Sequence, residues 1–141
     1  MGGGAPPRDT VRTMSEENVE VVRRMHEAYF RGDFENAMSA FAEDMVWQDQ
    51  HGTYHGHEGV AQATSRWTGA WDDLHQEVDD ILDTDTDDIV LLLRQSARGK
   101  GSGAPVESVF GWIYTVTGGK ISRVRLFPNA DEALKAAGLS E

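Results

Sequence analysis

Trp47 and Asp49 stand two residues apart, and His51, His55, His57 and Glu58 follow within the same short stretch. In an extended chain, residues two apart share a face, so Asp49 lies beside a large aromatic ring. Burial against apolar surface favours the neutral form of a carboxyl group and makes it a good carrier of protons. The chemistry to expect is therefore proton transfer, with Asp49 as base and His51 as a second acid–base group or hydrogen-bond partner. The histidines and carboxylates also have the donor types of a zinc or iron site. His57, however, precedes Glu58-Gly59 at a helix start, which breaks up the extended spacing that His55 and His57 would need. No metal and no other cofactor is expected.

The surrounding elements follow from periodicity. From Glu16 to Phe30, the residues Val19, Val22, Met25, Tyr29 and Phe30 recur at three- and four-residue steps, one face of a helix. Ser15 suits its N-cap and Gly32 its stop. Asp33 can cap a short second helix with Phe34, Ala37, Met38 and Phe41 inward. Met45, Trp47, Asp49 and His51 alternate as a strand, and a third helix opening near His57 places Val60, Ala63, Trp67 and Trp71 on one stripe. Beyond Asp73 the period becomes two. Strands are expected at Leu74–Leu82, Ile89–Arg98, Val106–Thr117 and Lys120–Phe127, then a tail helix over Asp131–Ala137. Helices first and antiparallel strands after make an α+β fold, with helices on one face of a curved sheet.

Bulk properties exclude several classes. The chain has 141 residues, a net charge of -11 and no cysteine. Nucleic acid and anionic membranes need clustered Lys and Arg, so neither is an expected partner. No run approaches the length of a membrane span. With no disulfide and no thiolate available, a reducing, cytoplasmic setting is expected. Residues 1–13, MGGGAPPRDTVRT, read as a disordered leader, and residues 14–141 as a single domain. Asp83-Thr84-Asp85-Thr86-Asp87 opens like a calcium loop, but Asp88 takes the glycine position and Arg94 the glutamate position. Gly99-Lys100-Gly101-Ser102-Gly103 lacks the spacing of a phosphate loop and sits between strands, as a hairpin.

The segments ENVEVVRRMHEAYFRGDFENAM, FAEDMVWQD, GTYHGHEGV, LLLRQSARGKGSG and WIYTVTGGKISRVRLFPNADEALKAAGL resemble the SnoaL-like branch of the nuclear-transport-factor-2-like superfamily, over roughly residues 15–140. The resemblance implies a cone: a bent antiparallel sheet wrapped on about three N-terminal helices, with an internal pocket open at one end. The superfamily includes ketosteroid isomerases, polyketide cyclases, epoxide hydrolases, dehydratases and non-catalytic binding or dimerisation modules, so fold does not fix function.

By that resemblance Asp49 falls where the isomerases hold their general base. Their oxyanion-binding Tyr position falls on Met25, and the late Asp position on Trp112 or Gly111. Trp112 can donate one indole hydrogen bond but is no acid, so steroid isomerisation is not expected. Against the epoxide hydrolases, Arg94 matches the arginine, but Ser96 replaces the first aspartate and Leu126 or a neighbour the second. Arg94 is then expected to face the pocket and orient an anionic ligand group. Met25, Tyr29, Trp47, Tyr54, Trp67, Trp71, Ser96, Phe110 and Leu126 are the expected pocket lining. So aromatic a lining suits a small, flat, apolar molecule, polycyclic or carbonyl-bearing. A homodimer is expected through the outer sheet face, where Val109, Ile113 and Thr115 would point. The expected function is a small-ligand protein, a cofactor-independent cyclase, isomerase or dehydratase, with a non-catalytic binding or dimerisation module as the alternative.

Overall fold

The computed structural model describes residues 7–69, 71–84 and 86–139, with side chains from Glu16 onward apart from Trp67. Its elements are α1 (Pro7–Phe30), α2 (Phe34–Ser39), β1 (Phe41–Asp49), β2 (Gly52–His55), α3 (Gly56–Gly69), β3 (Trp71–Asp83), β4 (Asp88–Gly99), β5 (Pro105–Thr117), β6 (Lys120–Phe127) and α4 (Ala130–Ala136). The helix α1 opens ahead of the Ser15 cap expected from sequence. Pro7 suits a first helical position because it has no N–H to leave unpaired. The leader predicted over residues 1–13 is thus helical from Pro7, and residues 1–6 lie outside the described residues.

Within α1, Val22, Met25, His26 and Ala28 are buried and Tyr29 packs against them, so a histidine sits on the apolar stripe. Gly32 ends the helix at φ +83, a left-handed conformation that other residues adopt at a cost. The Asp33 N–H then returns to the Ala28 carbonyl at 2.8 Å and satisfies one of the last open carbonyls of the helix. Asp33 caps α2 through the Asn36 N–H at 3.3 Å. Phe41, expected at the end of that helix, is instead the first residue of β1 and still buried. Trp71 likewise opens β3, because α3 stops at Gly69.

The six strands form one sheet in the order β2-β1-β6-β5-β4-β3. The sheet is mixed, which corrects the wholly antiparallel expectation: β1 runs parallel to β6, and every other pairing is antiparallel. A parallel neighbour needs a long crossover, here α3 together with β3 to β5. Register breaks in β1/β6, β3/β4 and β5/β6 bend the sheet and leave it open.

Alternation assigns the faces. Ile89, Leu91, Leu93, Gln95 and Ala97 of β4 are buried inward, with Tyr114 and Val116 of β5 and Val124 of β6. The inner face packs on α1 and on Val60 and Ala63 of α3. The His57 ring ties the start of α3 to the Phe41 carbonyl at 2.8 Å. The outer face carries α4, whose Ala133 stands where a side chain on Gly111 would have to go. No helix among the described residues is long and apolar enough to cross a membrane.

Candidate functional site

Between the helices and the inner sheet face lies a cavity of about 860 Å³. One wall comes from α1 (Met25, His26, Tyr29) and α2 (Phe34, Ala37, Met38), a second from α3 (Val60, Ala63, Thr64, Arg66). The sheet adds Trp47, Asp49, Trp71, Gln76, Phe110, Trp112, Tyr114 and Leu126, and His51 stands at the more exposed end. A volume of this size suits an organic molecule of several rings.

Asp49 is the last residue of β1 and is half-buried. The Trp47 indole N–H donates to its Oδ2 at 3.3 Å, and the His51 backbone N–H to its Oδ1 at 2.8 Å. Trp47 and Asp49 share a face because the strand period is two, and the turn after β1 brings the His51 amide round to the carboxylate. The carboxylate is therefore fixed against an aromatic wall. It is the His51 backbone, rather than its imidazole, that holds it.

The aromatic wall continues inward. Trp47 meets Trp112 edge to face at 5.7 Å between centroids, and Trp112 meets His26 at 5.8 Å. His26 is only 4% exposed, and its Nε2 lies 2.6 Å from the Tyr114 hydroxyl. Burial lowers the His26 pKa to about 4, so the ring is neutral near pH 7. Burial also raises the Tyr114 hydroxyl well above its usual range, with neighbouring Tyr29 adding to the effect. Tyr29 is itself raised by burial. The cavity wall thus carries a fixed carboxylate and a neutral imidazole–phenol pair.

Three expected site residues stand elsewhere. Arg94 lies on the outer sheet face, since Leu93 and Gln95 on either side of it are buried inward. Its guanidinium pairs with Asp79 at 3.2 Å and Glu107 at 3.8 Å. Ser96 shares that outer parity and is absent from the cavity wall. Tyr54 packs against the core from β2, its hydroxyl accepting from Arg66 at 3.2 Å. Of the two arginines it is Arg66, not Arg94, that lines the cavity. The side chain of Trp67 lies outside the described residues. Met25, Tyr29, Trp47, Asp49, His51, Trp71, Phe110, Trp112 and Leu126 do line the cavity.

His26, Tyr114 and Arg66 escaped the reading of the sequence. Both buried residues carried a signal. His26 falls at the four-residue step after Val22, on the inward stripe of α1, and Tyr114 is two residues from Trp112 on one strand. No group of three or more His, Cys, Asp or Glu among the described residues is arranged to hold a metal ion.

A cone of this kind, with a bent sheet closing on helices around a cavity, is the nuclear-transport-factor-2-like fold. The chain belongs to the SnoaL-like domain family, whose model matches residues 22–124. Among solved structures it resembles a nuclear-transport-factor-2-like protein from Burkholderia thailandensis, with a TM-score of 0.72 and 21% identity over 88% of this chain and 97% of the other. TerC, co-crystallised with polyporic acid, aligns with a TM-score of 0.68 and 15% identity, over 86% of this chain and 98% of TerC. A protein with a ketosteroid isomerase-like fold from Catenulispora acidiphila, in complex with trimethylamine, aligns at 0.66 and 18% identity, over 86% and 94%. Comparison with curated proteins gives no match.

Proposed function

We propose that this protein binds a small, flat, largely apolar molecule bearing a carbonyl group and moves a proton on it, with Asp49 as the base. The observation that carries this reading is the fixed Asp49 carboxylate on the wall of an aromatic-lined cavity of about 860 Å³. In that setting the carboxylate takes a proton from a carbon acidified by the carbonyl, and the C–H electron pair passes into an enolate. Three outcomes balance. The proton returns to another carbon, an isomerisation. The enolate carbon bonds to a second carbonyl whose oxygen takes the proton, a cyclisation. A β-hydroxyl leaves as water with that proton, a dehydration. None needs a cofactor, because one carboxyl group both accepts and returns the proton. Arg66 at the cavity wall orients a negatively charged ligand substituent. That TerC was crystallised with polyporic acid, and another relative with trimethylamine, supports small-molecule binding in this fold.

The test is deuterium uptake at the acidic C–H of 2-tetralone in deuterium oxide, followed by proton NMR. Wild type is expected to accelerate exchange, and Asp49→Asn to lose roughly a hundredfold or more of that acceleration. Equal rates with and without protein would leave the non-catalytic reading, a cytoplasmic binding module working as a homodimer. The outer sheet face supports that second reading, because its arginines and carboxylates are already arranged in pairs that a second copy could extend.

A further inference from the structure

The buried end of the cavity holds one polar atom that the fold does not satisfy. His26 Nδ1 is buried and has no hydrogen-bond partner among the described residues, although its ring lines the cavity. Buried ring nitrogens are normally paired, so an orphan invites a partner that is not part of the chain. Counting hydrogens defines that partner. The pair has one imidazole N–H and one phenolic O–H, and the 2.6 Å contact between Nε2 and the Tyr114 hydroxyl uses one of them. If Tyr114 donates to Nε2, the hydrogen left over is on Nδ1. If Nε2 donates to Tyr114, it is on the hydroxyl. Either way one donor remains at this end of the cavity.

We propose that His26 and Tyr114 together form the recognition site for an oxygen of the ligand, a ketone, quinone or enolate oxygen held by one donated hydrogen bond. This rests on the reading of the cavity given above. Both groups are neutral near pH 7, because burial lowers one pKa and raises the other, and a neutral pair favours a carbonyl over a carboxylate. Position then constrains the ligand further. Trp112 touches both parts of the wall, its ring 5.8 Å from that of His26 and 5.7 Å from that of Trp47. A molecule packed on Trp112 then meets the pair with its oxygen and Asp49 with its acidic C–H.

The experiment compares 9-fluorenone with fluorene, flat molecules that differ at one carbonyl, on protein labelled with nitrogen-15 in its histidine rings. Relative to their partition between water and octanol, fluorenone is expected to bind about fivefold to tenfold more tightly. It should also move the His26 ring signals, assigned by their loss in His26→Gln, and lower the carbonyl stretching frequency of the bound ketone. Tyr114→Phe should reduce the preference. The NMR and infrared measurements use wild type, so they stand even where a variant does not fold. Equal partition-corrected affinities with unmoved His26 signals would overturn this site and leave the cavity reading intact. Binding of neither compound would overturn both.

Discussion

A histidine carried neutral inside an apolar cavity has a thermodynamic signature. The folded His26 pKa is lowered to about 4 against an ordinary 6.5. Above pH 6.5 neither state holds the proton and there is no effect. As the pH falls from 6.5 to about 4, the unfolded chain takes up a proton that the folded ring refuses, and stability is lost. The full loss is roughly 3 kcal/mol. Urea unfolding across this window should show it in wild type, and the drop should be shallower by that amount in His26→Gln. Arg94 makes the opposite point. Its side chain is 41% exposed and its guanidinium paired on the outer face, so Arg94→Ala should cost less than about 1 kcal/mol and leave fluorenone affinity unchanged. A large loss of affinity would return Arg94 to the cavity.

Among the elements, α4 meets the sheet at its least forgiving point. A Cβ on Gly111 would collide with the Ala133 side chain and stand 3.3 Å from the Asn129 carbonyl. Gly111→Ala should therefore destabilise by about 1 to 3 kcal/mol, as overpacking does, and Ala133→Gly in the same chain should recover part of it. Chemical denaturation of the two single variants and the double variant measures the coupling.

The same elements show what the sequence made legible. The stripe of α1 and the alternation of β1, β4, β5 and β6 were readable because each buries one face of a regular period. Alternation also contained the correction to Arg94, since Leu91 and Leu93 claim the inner face of β4; family resemblance pointed the other way. Gly52–His55 was not readable as a strand, being short and mostly polar, with its pairing to β1 set by a turn. The parallel pairing of β1 with β6 leaves no local pattern at all. His26 looked isolated because its partner is 88 positions away.

Taken whole, the molecule is acidic, with a net charge of -11, yet its outer sheet face concentrates arginine. Arg123 holds Gln48 at 2.8 Å, Arg125 holds Asp88 at 3.3 Å, and Thr115 donates to Asp88 at 2.6 Å. Ile113, expected on a bare apolar interface, is already fully buried within one chain. A homodimer through this face would rest on charged pairs rather than on apolar area. Sedimentation velocity should then show dimer at low salt and a shift towards monomer at high salt. A dimer indifferent to salt would place the interface elsewhere.

The pairing of β1 with β6 also governs the order in which the molecule can be made. Trp47 and Asp49 leave the ribosome well before the strand that flanks them, Lys120–Phe127. Until it arrives, the nascent sheet is two pieces, the β1–β2 hairpin and the β3–β4–β5 meander, each with an open edge. Joining them closes a long loop, which is slow relative to local pairing. The cavity wall that carries Asp49 is thus completed only once β6 has paired, and chains truncated before Lys120 should depend on chaperones and aggregate when released. Arrested-chain protease protection would reveal this as a late, single step in which the whole cavity becomes resistant at once.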